Sequence, residues 1–366
     1  MASTATHHRA PRVDTLDLLR LFAALAVVAY HFCFRGAAGG TTAIALPALE
    51  DVTKYSYLGV ELFFVISGFV IAYSAEGRTA RQFLVARAAR IYPAFLVCMT
   101  LTFVVTLAFG PPHFETSLFQ WVANLFIAAP ALGEPFMDGV YWSIVYELTF
   151  YAWVLALIVL GFFSKYLTQV VMAWLAISAA NEILIDSALL RSVFITDDSG
   201  FFCAGLLLYL LHSGRRDDAT WPLLGIATFI GAAQSMLKAE WLRDHFTVSF
   251  SGPVIGGLSI AIVALVGIAL LPKRVPLPAS VLLAIGGLTY PLYLLHQHIG
   301  FIAFNRLDGL ASPAVIIIGV TLALIGLSLL IWRYVERPGQ RLMKALLLRA
   351  TGWIDRLPQR RPQWEG

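Results

Sequence analysis

Arg20 and His31 are two ionisable side chains in residues 16–34, a stretch otherwise apolar enough to cross a membrane. Eleven residues on a helix rise about 16 Å and close almost three full turns, so both side chains leave one face. With Arg20 at one membrane surface, His31 lies near the middle of a hydrocarbon core about 30 Å thick. An imidazole is costly to keep at that depth and commonly marks function, which makes His31 a candidate catalytic base or proton relay. A packing histidine satisfied by a neighbouring helix is the other reading.

Other groupings offer partners. Asp17 stands three residues before Arg20, within pairing reach on a helix, where it either orients the guanidinium or stabilises the helix dipole. Glu61 begins the run to Ser67 and Gly68; Gly68 shares its face and would let another helix approach closely. Ser67 is expected to hydrogen-bond to its own helix backbone. Arg87 and Arg90 sit one turn apart, a spacing that suits bidentate binding of phosphate oxygens and equally suits ordinary basic charge against anionic lipid.

Ser143, Glu147 and Tyr151 recur every fourth residue as a polar stripe on a helix that also carries Trp142. Glu147, about five residues below the outer surface, is placed to orient or charge-compensate a histidine; a helix–helix hydrogen bond is the alternative. Tyr290, Pro291, His296 and His298 fall in one apolar run, kinked at the proline. Histidines two apart do not share a helix face, and no other spacing suits zinc or iron, so no metal is expected. A Walker loop, a dinucleotide fingerprint and a G-x-S-x-G elbow are also missing from the sequence.

The elements that must hold these groups are membrane helices. The chain is 59% hydrophobic and 13% charged, with mean hydropathy +0.76, where soluble domains run near 25% charged. The expected fold is therefore all-α and polytopic, with about ten transmembrane helices over residues 16–34, 57–73, 91–109, 142–163, 166–185, 201–212, 221–237, 250–271, 279–301 and 313–332. Residues 118–129 are apolar but too short to cross, which reads as an interfacial or re-entrant segment, and residues 76–90 read as a basic connector. Ten spans put both termini on one side, and twenty of the 26 Lys and Arg fall there, so both termini are expected in the cytoplasm. Cleaving the first span as a signal peptide would break that pattern. The expected divisions are a cytoplasmic segment 1–15, a membrane domain 16–338 and a basic cytoplasmic tail 339–366. Three cysteines in apolar stretches imply no disulfide framework, and a net charge of +4 implies no nucleic-acid partner.

Six motifs in order resemble the acyltransferase 3 family, bacterial membrane proteins that O-acylate sugars and polysaccharides. They are Arg20 with His31 eleven residues on, the Gly59–Phe69 run, Arg87 to Pro93, Trp142-Ser143 with Glu147, Tyr290 to His296, and Glu336-Arg337-Pro338. Three positions depart from the usual pattern: Glu61 stands where Asp is common, a single Glu147 where a glutamate pair is, and His298 where Pro is. The resemblance implies a multi-pass inner-membrane enzyme that takes an acyl group from cytoplasmic acyl-CoA, most often acetyl-CoA. The acceptor it implies is a hydroxyl of a sugar, glycolipid or polysaccharide. Arg87 and Arg90 would grip the phosphates of CoA, and His31 would act as general base or acyl carrier. Arg20 would stabilise charge on the donor, and Glu147 would fix the imidazole tautomer. Asp17, Glu61, Ser67, Trp142, Ser143, Tyr290 and His296 would support them. Some members carry an extra esterase-like domain; with about thirty residues after its last span, this chain is expected to complete transfer itself or hand the acyl group to another protein. A proton-coupled transporter built on the same buried groups is the rival reading, weakened because the chain shows no inverted repeat.

Overall fold

A computed structural model describes residues 13–127, 129–272 and 275–352, so residues 1–12, Ala128, Lys273, Arg274 and the tail from 353 lie outside the described residues. No strand occurs among the described residues. Helix α1 is Asp14–Tyr30, continued by a π-helical turn at His31–Arg35. The helices α2 (Gly59–Ala75), α3 (Ala80–Phe109), α4 (Trp142–Val159) and α5 (Leu167–Ala180) follow. After them come α6 (Ser199–His212), α7 (Thr220–Phe246), α8 (Gly252–Ala269), α9 (Ala279–Leu307) and α10 (Pro313–Ile331). Another π turn, Trp332–Glu336, leads into the amphipathic helix α11, Arg337–Ala350.

Nine stretches among the described residues are long and apolar enough to cross a membrane. Helix α7, the seventh expected span, is not one of them. It packs between α6 and α8 like the rest, but Gln234 and Lys238 lower its apolarity and go into buried polar contacts instead. The short sixth span gains length from the Ala188–Phe194 helix just before it, giving an apolar stretch at Ala188–His212.

Small residues set the closest helix contacts, as expected where lipid supplies no hydrophobic drive between helices. A Cβ on Gly68 of α2 would lie 2.3 Å from the Phe202 carbonyl oxygen, and one on Gly205 of α6 would lie 2.2 Å from that of Val65. This mutual approach locks α2 to α6. Helix α9 lies centrally, packed on α1, α3 and α10.

One boundary and one loop differ from the sequence expectation in ways that move the candidate site. Helix α3 starts at Ala80, because Thr79 and Gln82 form a capping box, so most of the supposed basic connector 76–90 is helix. Arg87 and Arg90 therefore stand on a helix wall inside the bundle. Helix α4 starts at Trp142, as expected, but the loop before it is buried in the bundle. Ahead of it, the fully buried Asp138 accepts from Val140 N (3.1 Å) and from His298 N (2.9 Å), and the Gly139–Tyr141 turn is tucked against α9. The short Leu118–Asn124 helix, with a rise of about 10 Å, does not cross; Asn124 clamps the loop at Pro135 and Met137 instead.

Candidate active site

The side chains that face one another across α1, α2, α3, α4 and α9 line a partly open cavity of about 140 Å³. Helix α1 rises into it with Arg20, and α3 contributes Arg87 and Arg90. Helix α2 adds Phe63 and Ser67, α4 adds Ser143, Glu147 and Tyr151, and α9 adds Tyr290 and Tyr293. The every-fourth-residue stripe of α4 thus lines the cavity as a unit.

Its basic end is only partly engaged. Arg20 bonds Asp17 at 3.2 Å, the pairing their spacing predicts, and keeps 27% of its side chain exposed. Arg90 is already committed: it pairs with the buried Glu336 of the Trp332–Glu336 turn and lies over the Tyr290 ring at 5.5 Å. The Arg87 guanidinium lies 5.7 Å from the Tyr151 ring centroid, and its Nε is buried with no hydrogen-bond partner. Ser67 Oγ is also buried and unpartnered, so the expected bond to its own helix backbone does not form. Unsatisfied polar atoms lining a cavity are what a polar ligand would complete.

The opposite end is closed by Tyr293, whose hydroxyl lies 2.6 Å from Ser143 Oγ and 3.3 Å from the Val140 carbonyl oxygen. One helical turn beyond it stands His296, and across from that His31. His31 Nδ1 lies 2.8 Å from the Val27 carbonyl oxygen and 3.1 Å from His296 Nε2; His296 Nδ1 lies 2.8 Å from the Tyr293 carbonyl oxygen. Neither imidazole lines the cavity. His296 is fully buried, while His31 keeps 7% of its surface exposed.

Glu147 does not reach His31. It accepts from Tyr151 and lines the cavity with Arg20, whereas His31 lies outside that lining. The tautomer role expected for Glu147 is therefore not available to it in this structure.

Glu61 and Trp142 belong to a separate cluster. Glu61, fully buried, receives Lys238 Nζ at 2.9 Å; the same ammonium bonds both oxygens of Asp198 (2.8 and 3.1 Å) and lies 5.3 Å from the Trp142 ring centroid. Next to them, Tyr146 donates to Asp197 at 2.6 Å, and Gln234 joins Ser199 to the backbone of Gly200. Sequence reasoning passed over Lys238, Asp198 and Tyr293. The signal for the first two was Asp197-Asp198 and Lys238 bordering apolar runs, where charges need opposite partners. Tyr293 carried no signal beyond its place in a motif.

No group of three or more His, Cys, Asp or Glu side chains suited to a metal occurs among the described residues.

Comparison with known proteins agrees with the motifs. The chain is 32% identical over 155 residues to Acyltransferase MdmB of Streptomyces mycarofaciens, covering 39% of this chain and 38% of that protein. It is 31% identical over 170 residues to Nodulation protein 10 of Rhizobium leguminosarum bv. viciae, covering 40% and 44%. It is 27% identical over 128 residues to the peptidoglycan O-acetyltransferase OatA of Listeria monocytogenes, covering 33% and 18%. These alignments span less than half of each relative. No solved structure matches the chain. The acyltransferase 3 family model, described as an acyltransferase domain, matches residues 13–333, and the chain belongs to that family.

Proposed function

We propose that this protein is a membrane O-acyltransferase that moves an acyl group, most simply acetyl, from acyl-CoA to a sugar hydroxyl. The observation that carries the reading is the cavity: three guanidiniums at one end, and at the other a tyrosine wall behind which His31 lies buried. Relatives named O-acetyltransferase support it, as does the family.

A cavity of about 140 Å³ has room for the thioester end of a donor, and it is open at one side for the rest of the molecule. The CoA phosphates would lie at its mouth, with Arg87 and Arg20 as ligands. Arg90, already neutralised by Glu336, would contribute only by changing partners. In this reading that mouth, both termini and the 339–366 tail face the cytoplasm at a bacterial inner membrane and the acceptor lies on the other side; the family and the distribution of basic residues support it.

In the reaction the acceptor hydroxyl gives its proton to His31 and its oxygen attacks the thioester carbonyl. The C–S bond breaks, the proton passes to the departing thiolate, and an O-ester and free CoA result. Arg20, about three helical turns from His31 on α1, would stabilise negative charge on the donor and along the path its thioester follows inward, not at the carbonyl under attack. Surface polysaccharide, peptidoglycan or a lipid-linked sugar would each present a suitable hydroxyl.

The test uses the full chain in nanodiscs with labelled acetyl-CoA and a panel of sugar acceptors. Saturable binding of CoA, with loss of thioester only when an acceptor is added, is the expected result. No binding of any acyl-CoA would overturn the donor assignment.

A further inference from the structure

We propose that His296 is a positioning residue for His31, a neutral acceptor standing where many histidine bases have a carboxylate. The proposal rests on His31 being the proton acceptor, and it replaces the role expected of Glu147.

Two backbone carbonyls decide the tautomers. The Val27 and Tyr293 oxygens can only accept, so Nδ1 of His31 and Nδ1 of His296 each carry a hydrogen. In the neutral rings both Nε2 atoms are then bare. His296 Nε2, 3.1 Å away, accepts from His31 Nδ1–H, which it shares with the Val27 oxygen. The orientation runs one way. A proton added to His296 Nε2 would point at another N–H, whereas a proton added to His31 Nε2 leaves both Nδ1 contacts in place and strengthens them. The pair therefore holds its extra proton at His31 Nε2, the atom that must take it from an acceptor hydroxyl. Among the described residues no carboxylate hydrogen-bonds either ring.

The surroundings fix this geometry. The rings sit with centroids 4.8 Å apart and planes 72° apart. Phe301 stands 6.4 Å from His31, and Phe32 6.3 Å from His296. A Cβ on Gly300 would lie 2.4 Å from the Phe32 ring, and one on Gly36 2.8 Å from that of Phe301. His31 also opens the π turn of the first helix, a device that re-aims side chains and recurs at functional sites. A histidine held this tightly loses little entropy on reaction.

The experiment compares His296→Leu, which keeps bulk without an acceptor, with His296→Gln, whose amide oxygen can still accept from His31. His31→Ala is the control. All are assayed in nanodiscs for CoA binding and for acyl transfer at saturating donor. His296→Leu is expected to lose on the order of a hundredfold in kcat with CoA affinity unchanged, and His296→Gln to stay within about tenfold of wild type. Equal rates in the Leu and Gln variants would overturn the positioning role. A wild-type rate in His31→Ala would instead sink the base assignment, a separate failure. Nitrogen-15 spectra of labelled histidine in the unmutated protein test the tautomers directly: both rings should show a protonated Nδ1 and a bare Nε2, and a protonated Nε2 on neutral His296 would refute the pair.

Discussion

Two places in this molecule keep charged side chains at membrane depth, and they are built differently. Around Lys238 the charges close on one another: one ammonium takes Glu61 and both oxygens of Asp198, over the face of Trp142. Around Arg20 and Arg87 the charges face space, and Arg87 Nε and Ser67 Oγ lack partners. An unpartnered atom does not separate the two, since Glu61 Oε2 has none either. The cavity separates them. In the proposed reading the permanent charges that line room for a ligand serve binding, and those closed on one another tie helices together.

The largest expected effect comes from breaking the closed cluster. Lys238→Ala leaves Glu61 and Asp198 buried without their cation, a loss of about 3–5 kcal/mol. Its yield of monodisperse protein in detergent should collapse. A Lys238→Ala protein as stable as wild type but without transfer would move that cluster into the active site.

Arg87→Ala should do the reverse. Removing charge-assisted contacts worth about 1.5–3 kcal/mol weakens CoA binding on the order of ten- to a hundredfold while the protein folds normally. Arg87→Lys should recover only part, because a point charge does not reproduce the planar fork. Isothermal titration with CoA in nanodiscs reads both variants, and unchanged affinity in Arg87→Ala would remove it from the donor site.

Arg90 sharpens the comparison, because it lies in the cavity yet is closed like Lys238. Arg90→Ala should cost both stability and binding, since it strands Glu336. Glu336→Gln should cost less stability and leave CoA affinity within a few-fold of wild type. A loss of affinity as great as that of Arg87→Ala would mean that Glu336 shapes the donor site through Arg90. Ser67→Ala is the smallest change: stability within about 0.5 kcal/mol of wild type, and a rise in donor KM of a few-fold at most.

The features legible in the sequence were the local ones. Apolar length announced the spans, the three-residue interval announced Asp17 with Arg20, and the α4 stripe announced one wall of the cavity. What escaped depended on how the elements pack in space. Asp138 is swallowed with its loop, and nothing in a polar-looking residue 138 says so. Lys238 looked like loop charge because the apolar run stops at Leu237, while the helix continues to Phe246. The His31–His296 contact joins residues 265 apart, so only packing could reveal it.

The central claim is that His31 takes the proton in acyl transfer, while the cavity below it binds the donor. The deciding measurement is acetyl transfer to sugar acceptor by His31→Ala in nanodiscs at saturating acetyl-CoA, with CoA affinity measured on the same sample. Near-normal affinity with transfer reduced at least a thousandfold is the predicted outcome. A rate within a few-fold of wild type would show that His31 is a packing residue and that the reacting group lies elsewhere.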